Sequence, residues 1–289
     1  MNPETSKIDP ETLLLMIRTT AERTGFDARL VEKDYYCSLL LQGLNVEKNS
    51  LIFKGGTCIS KVFSDFYRLS EDLDFCISIA PSDTRTVRRK KIDPFKRSVA
   101  GLPENVSGVR ILEALTGRNV STQYVALIGY ASVISGREET VKLEIGVREP
   151  LMLPFESRLA LTLLKDPFSG KEVLPPFPIT VINEQEAWAE KTRAALARLA
   201  PAIRDFFDLD YAIRNKKAAI ENEEFLALVQ RKIAVPGTGP VNLSKERREE
   251  LVRQVSTELR PVLRGRDFEK FNLDRVWETL TALAEKLHG

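Results

Sequence analysis

The sequence of 289 residues is 43% apolar, which is enough for a buried core in one large domain or two modest ones. Its 43 Lys and Arg nearly balance its 41 Asp and Glu, for a net charge of +2, so affinity for nucleic acid would have to come from local basic patches. The single histidine, His288, stands next to the end of the sequence, which excludes Ser-His-Asp catalysis, Cys-His catalysis and histidine-based metal sites.

The cysteines and the hydropathy pattern narrow the class of protein further. Cys37, Cys58 and Cys76 are odd in number and show no C-x-x-C spacing, so we expect buried thiols and neither a disulfide framework nor a zinc site. The sequence contains no charged-plus-apolar leader and no apolar run near the roughly 20 residues that a membrane-spanning helix needs. We therefore expect a cytoplasmic protein without a membrane partner.

The first predicted elements are two helices between Pro10 and Gly43, followed by a short strand from Leu51 to Phe53. Gly55 and Gly56 end that strand, and Thr57 is expected to cap a helix that follows at once. The apolar residues of this helix recur at i, i+3, i+4 and i+7, and they are Ile59, Val62, Phe63 and Phe66.

The next segment alternates polar and apolar residues, which is the period of a strand with one face on the core. Asp72, Asp74 and Cys76 alternate with Leu73, Phe75 and Ile77, so both aspartates are expected to point the same way. A charged insertion from Pro81 to Thr122 follows, and it is predicted to be helical on either side of Pro94. Its basic residues could contact phosphates, although such runs are more often solvated helix faces; they are Arg85, Arg88, Arg89, Lys90, Lys91, Lys96 and Arg97.

Two more strands, Tyr124 to Ile134 and Thr140 to Arg148, are predicted to form a hairpin that turns near Gly136. In the second strand, Lys142, Glu144 and Arg148 would face away from the core, and the inward residues would be Val141, Leu143, Ile145 and Val147.

A proline-rich stretch, "LPPFPIT", marks a candidate domain boundary. Asn183 and Glu186 then form a capping box that opens the helix carrying Lys191, and the remaining sequence has helical periodicity. We therefore expect an α+β core with N-terminal helices over residues 1–182 and a helical C-terminal domain over residues 183–289.

The glycine pair and the two aspartates together suggest a site. A strand that ends in Gly55-Gly56 and passes directly into a helix leaves backbone N–H groups that can bind phosphate, although such a turn is also ordinary structure. Carboxylates on one strand face repel each other unless a cation such as Mg²⁺ lies between them. Glu144, expected on the polar face of a neighbouring strand, could complete a carboxylate triad for phosphoryl transfer. The segment contains neither a Walker A motif nor a dinucleotide fingerprint.

These residues carry a resemblance. The order of glycine pair, helix, Asp-x-Asp and later acidic strand is similar to the DNA polymerase β-like nucleotidyltransferase superfamily. More closely, "EKDYYCSLLL", "FKGGTCISKVFSDFYRLSEDLDF" and "AEKTRAALARLAPAIRDFFDLDYAI" resemble the AbiEii/MenT nucleotidyltransferase toxins of type IV toxin–antitoxin systems. The resemblance spans Glu32 to Ile213, and the insertion and the tail beyond Asn215 have no matching motif.

The resemblance implies a nucleotidyltransferase-type mixed sheet flanked by helices, and it implies roles for individual residues. Asp72 and Asp74 would bind Mg²⁺ or Mn²⁺ and take part in catalysis. Lys191 would be the family's functional lysine, and Asp205 or Asp208 the aspartate of its last motif. Glu144 matches no motif of the family and is a catalytic candidate from the strand pattern alone. The nucleoside triphosphate would be bound by Lys54, Gly55, Gly56, Thr57 and Ser70.

The resemblance also implies a reaction and partners. A nucleoside monophosphate would be transferred to RNA, with the 3′ end of tRNA as the expected acceptor, and a cognate antitoxin would neutralise the toxin. Two alternatives stay open at this stage: a metal-dependent nuclease or phosphohydrolase, because an Asp-x-Asp cluster also serves hydrolysis, and an inert RNA- or protein-binding module that keeps the fold.

Overall fold

A computed structural model describes residues 8–46, 50–80, 82–218, 220 and 222–288. The chain divides into two compact units, of which the first ends at Ile182 and the second begins at Asn183. The first unit is α+β and the second is helical, so the predicted fold class is confirmed.

The first unit contains five α-helices and seven strands within the described residues. The helices are α1 (Pro10–Thr24), α2 (Ala28–Gly43), α3 (Gly55–Cys58), α4 (Arg85–Ala100) and α5 (Leu102–Asn105). The strands are β1 (Ile52–Lys54), β2 (Asp72–Cys76), β3 (Val109–Arg118), β4 (Gln123–Ala131), β5 (Glu138–Gly146), β6 (Glu156–Ala160) and β7 (Phe177–Val181).

These strands form one mixed sheet with the order β3-β4-β5-β2-β1-β7-β6. Strand β2 lies in the middle, antiparallel to β1 and parallel to β5. The predicted hairpin is confirmed as the antiparallel pair β4 and β5. Because β1 and β5 both adjoin β2, the glycine turn after β1 and the polar face of β5 are brought to the same part of the sheet.

The two faces of the central strands differ as the alternation predicts. Phe53, Phe75 and Ile145 are buried on one face together with Tyr124, which is paired with Ile145 across β4 and β5. The alternate positions carry the polar residues of the candidate site, namely Asp72, Asp74, Lys142 and Glu144. The buried cysteines Cys37, Cys58 and Cys76 are free thiols, as predicted.

Helix α2 is fixed to the sheet by buried carboxylates. Glu32 accepts hydrogen bonds from Ser132 Oγ at 2.5 Å and from the Val133 N–H at 2.6 Å, where the β4–β5 hairpin turns. Asp34 Oδ1 lies 2.8 Å from Lys61 Nζ in the turn of helix that follows α3, and both side chains are buried. Burial raises the pKa of Asp34, and the positive charge of Lys61 opposes that shift.

Several sequence predictions need correction. The insertion is helical on either side of Pro94, as predicted, with α4 continuous through that residue, but it also contains strand β3, which was not predicted. The second half of the proline-rich stretch lies in strand β7, which begins at Phe177, lies beside β1 and pairs with the unpredicted strand β6. The helix after the glycine pair continues as a π-helical turn only to Phe63, because Ser64 leaves the helical backbone conformation with a φ of −142°. The predicted helical residue Phe66 lies beyond this end and has a positive φ of 53°.

The second unit contains the helices α6 (Glu184–Ala197), α7 (Ile203–Arg214), α8 (Glu223–Ile233), α9 (Lys245–Gln254), α10 (Gly265–Phe268) and α11 (Leu273–His288). Asn183 caps α6 as predicted, since its side chain accepts from the N–H groups of Gln185 and Glu186. The Glu186 carboxylate lies 2.7 Å from the buried Lys232 Nζ, which ties α6 to α8. None of the helices in the described part of the chain is long and apolar enough to cross a bilayer.

We predict that Lys61→Met lowers the free energy of unfolding by about 3–5 kcal/mol, because it leaves Asp34 buried without its counter-charge. Urea denaturation measures the loss. A matched control is Lys165→Met, which removes an exposed lysine 3.4 Å from Glu172 and should cost at most about 1 kcal/mol.

The loss in Lys61→Met should shrink as the pH falls toward the raised pKa of Asp34, above the ordinary 3.8, because a protonated carboxyl carries no charge to bury. Equal losses in the two variants at neutral pH would contradict this account of the pair.

Candidate active site

The glycine turn lies directly against one of the predicted catalytic aspartates. Gly55 has a φ of +78°, which favours glycine, and a Cβ there would lie 2.8 Å from Cβ and 2.9 Å from Cγ of Asp74, and closer still to Oδ2. Asp74 is also the direct register partner of Lys54 across β1 and β2. The turn therefore needs glycine for two reasons, its backbone conformation and the space that Asp74 fills.

The structure assigns Thr57 a different position from the one predicted. Helix α3 begins at Gly55 with Lys54 in the N-cap position, so Thr57 lies inside the helix and is not its cap. The Thr57 hydroxyl donates to the backbone carbonyl of Asp72 at 2.5 Å, and the residue is only 1% exposed. This contact holds the start of β2 against α3. The hydroxyl hydrogen of Thr57 is therefore already donated to an acceptor within the protein.

The three carboxylates lie on the same face of neighbouring strands. Asp74 is paired in register with Glu144 across β2 and β5, and Asp72 is two residues before Asp74 on the same face. Burial raises the pKa of Asp74 to about 6, with further contributions from the negative charges of Glu144 and Asp72. The site therefore has an excess of negative charge that a cation would stabilise.

A lysine that was not among the predicted site residues supplies positive charge here. Lys142 Nζ lies 3.4 Å from Asp72 Oδ2 and 3.6 Å from Glu144 Oε2. Burial alone would lower the pKa of Lys142, but the charges of Asp72, Glu144 and Asp74 raise it. The sequence did contain one sign that Lys142 belongs to the site: it stands two residues before Glu144 and therefore on the same strand face.

The donor set fits a magnesium site that the substrate completes. Among the described residues, no group of three His, Cys, Asp or Glu side chains is placed to hold one metal ion, so the predicted triad with Glu144 is not assembled as an all-protein site. Mg²⁺ in nucleotide-binding sites uses one or two carboxylates, with substrate phosphates and water as the other ligands. Asp72 and Asp74 provide that number of carboxylates on one strand face.

Two side chains pack against the second glycine of the turn. A Cβ at Gly56 would lie 2.8 Å from Arg68 Nη2 and 3.0 Å from Ser70 Oγ. Ser70 was predicted from the sequence, whereas Arg68, which is only 2% exposed, was missed. Its position four residues before Asp72 offered no periodic signal, because the chain between Phe63 and Asp72 is irregular.

The other predicted residues form a cluster within the second unit. Lys191 Nζ on α6 lies 2.8 Å from Asp205 Oδ1 and 2.9 Å from Asp208 Oδ2 on α7. Arg198 Nη1 also approaches Asp205, at 3.4 Å from Oδ2. Both aspartates contact Lys191 at nearly the same distance. These distances therefore do not identify which of the two is the aspartate of the family's last motif. The site residues thus form two groups, one in each unit.

The basic helix α4 packs on the sheet face opposite the carboxylates. Its apolar residues Ile92, Phe95 and Val99 are buried, and Lys96 Nζ lies 5.9 Å from the ring centroid of Tyr124. Tyr124 belongs to the buried face of β4, whereas Glu144 is on the other face of the adjacent strand. The outward side of α4 carries exposed basic residues, which are Arg85, Arg89, Lys90 and Arg97.

Comparison with known proteins gives a family and a shared fold. A family model described as "Nucleotidyl transferase AbiEii toxin, Type IV TA system" matches residues 39–286, including the insertion and the tail that the sequence resemblance left uncovered. JHP933 from Helicobacter pylori is similar in structure, with a TM-score of 0.54, 14% identity, and coverage of 91% of this chain and 93% of that one.

A second H. pylori structure, named as a candidate nucleotidyltransferase, also has a TM-score of 0.54 and 14% identity, with coverage of 91% and 96%. At this identity the two likenesses establish the fold alone. No curated protein matches the chain in sequence.

We predict that Gly55→Ala is more destabilising than Gly136→Ala, by at least about 1 kcal/mol in urea denaturation, because only the Gly55 methyl group would collide with a neighbour. Gly136 has a similar φ of +66° and nothing within 4 Å of its added Cβ, so it controls for backbone strain. Equal losses of unfolding free energy in the two variants would mean that the position of Asp74 does not require the absence of a side chain at Gly55.

Proposed function

Since the chain belongs to the AbiEii family of nucleotidyl transferase toxins of type IV toxin–antitoxin systems, we propose that it moves a nucleoside monophosphate from a nucleoside triphosphate to RNA, with Mg²⁺ or Mn²⁺ as cofactor. The observation that carries this proposal is the pair of same-face carboxylates, Asp72 and Asp74, of which Asp74 packs against Gly55 of the Gly55-Gly56 turn. The proposed acceptor is the 3′ end of tRNA, where an added nucleotide would block aminoacylation, and the proposed partner protein is a cognate antitoxin.

In the proposed reaction, an RNA hydroxyl oxygen forms a bond to the α-phosphorus, the bond to the β-phosphate oxygen breaks, and pyrophosphate leaves. A divalent cation, when bound, would stabilise negative charge on the phosphate oxygens. Asp72 and Asp74 would hold that cation. The backbone of Gly55 and Gly56 leaves room for a triphosphate to approach, and Arg68 and Ser70 lie beside Gly56.

The remaining candidates receive more limited roles. Thr57 acts through β2, because its hydroxyl bonds to the carbonyl of Asp72. Glu144 is proposed to add negative charge beside Asp74. Lys191 keeps its proposed role as a catalytic residue, and its ammonium group is positioned by Asp205 and Asp208.

The exposed basic residues of α4 support a polyanionic acceptor. Because α4 packs on the sheet face opposite the carboxylates, it would contact the body of a large RNA at a distance from the reacting end. This arrangement suits tRNA better than a short oligonucleotide.

We predict that purified protein incubated with total tRNA, Mg²⁺ and each labelled nucleoside triphosphate labels RNA with at least one of them. Asp72→Asn and Asp74→Asn should reduce labelling at least 100-fold, since each removes a charge that would hold the cation. Glu104→Gln removes an exposed carboxylate of α5 and should leave labelling unchanged. Shortened RNA would instead favour the nuclease alternative, and binding without turnover would favour the inert module.

We also predict that Arg89→Glu with Lys90→Glu raises the KM for tRNA at least tenfold and flattens its salt dependence, with little change in kcat, because these residues would bind phosphates away from the reaction. Labelling assays from 50 to 200 mM KCl provide the measurement. A matched control is Arg18→Glu with Arg23→Glu, on exposed positions of α1. An equal effect in the control would show that α4 has no special role.

A further inference from the structure

A lysine ammonium occupies the place between two carboxylates of the first-unit site. Lys142 Nζ lies 3.4 Å from Asp72 Oδ2 and 3.6 Å from Glu144 Oε2. The backbone fixes this arrangement, because Asp72 and Lys142 are register partners across β2 and β5 and Glu144 shares the strand face. The Lys142 ammonium therefore lies at a position where a positive charge reduces the repulsion between Asp72 and Glu144.

Lys142 is held more loosely than the lysines of the two close lysine–aspartate pairs, Lys61 and Lys191. Its two contacts are longer than the 2.8 Å contacts of Lys61 with Asp34 and of Lys191 with Asp205. Its side chain is also 38% exposed, whereas that of Lys61 is 1% exposed. Solvated ion pairs of this kind contribute little stability, so the ammonium can leave the carboxylates at low cost.

We propose that Lys142 is an exchangeable cation: it neutralises Asp72 and Glu144 before the substrates arrive, gives way to the divalent cation, and then contacts the phosphates of the nucleotide. The inference rests on the proposed function for the identity of the metal and the nucleotide. Asp72 would exchange its contact with the Lys142 ammonium for a divalent cation when one is bound, because such a cation carries twice the charge. The flexible stem of lysine lets the ammonium group follow the negative charge that the triphosphate brings.

The test is a pair of binding measurements on Lys142→Met. Electron paramagnetic resonance of free Mn²⁺ measures metal binding without nucleotide, and calorimetry measures binding of a non-hydrolysable nucleoside triphosphate in saturating Mn²⁺. We expect Mn²⁺ alone to bind roughly tenfold more tightly, because a competing charge about 4 Å away has been removed. The nucleotide should bind roughly tenfold more weakly, because its phosphates have lost a contact.

Three further variants make the test specific. Lys142→Gln should behave like Lys142→Met, and Lys142→Arg, which keeps the charge, should stay close to the wild type. Lys165→Met is the matched control, because Lys165 is 40% exposed and lies 3.4 Å from Glu172. It should change neither affinity.

The proposal is overturned if Lys142→Met leaves the Mn²⁺ affinity unchanged, if both affinities move in the same direction, or if Lys142→Arg gives the same result as Lys142→Met. A failure of the proposed function looks different. In that case the wild type binds no Mn²⁺, or binds it equally well after Asp72→Asn, whatever residue stands at position 142.

Discussion

Electrostatic repulsion among carboxylates is the constraint around which the first-unit site is built. Asp72 and Asp74 share one face of β2, and Glu144 lies beside Asp74 on β5. The raised pKa of Asp74 reflects its burial and these neighbouring charges. The surrounding features keep the arrangement in place: Gly55 leaves room for Asp74, Thr57 bonds to the backbone of Asp72, and Lys142 offsets part of the charge.

Acidic residues in the sequence motifs serve two purposes, structural support and candidate chemistry, and their sequence patterns do not distinguish the two. In "EKDYY", the carboxylates of Glu32 and Asp34 are buried in contacts that attach α2 to the hairpin and to Lys61. These residues act on the fold, whereas Asp72 and Asp74 are partly exposed on a polar strand face. Lys191 combines both characters, because it forms close ion pairs and still has 14% of its side chain exposed. A close ion pair with a buried carboxylate therefore does not by itself distinguish structural support from candidate chemistry.

The sequence predicted the parts of the site that follow from local periodicity. The alternation around Asp72 and Glu144 placed the carboxylates on one face correctly, because side chains in a regular strand alternate. Strand β3 was missed because bulges between Ile111 and Thr116 interrupt its pairing and its alternation. Strand β7 was missed because Pro178 suggested a boundary. Arg68 and the pairing of Lys142 with Asp72 depend on how distant segments pack, which no local pattern encodes.

Asp72 and Asp74 are proposed to bind together a divalent cation that also contacts the nucleotide. The most direct test is a crystal structure with Mn²⁺ and a non-hydrolysable nucleoside triphosphate, measured near the manganese absorption edge. We expect an anomalous peak about 2.1 Å from oxygens of both carboxylates and of the phosphates, with the triphosphate beside Gly55 and Gly56. A triphosphate bound elsewhere, or a peak that contacts neither aspartate, would contradict a shared metal site at Asp72 and Asp74.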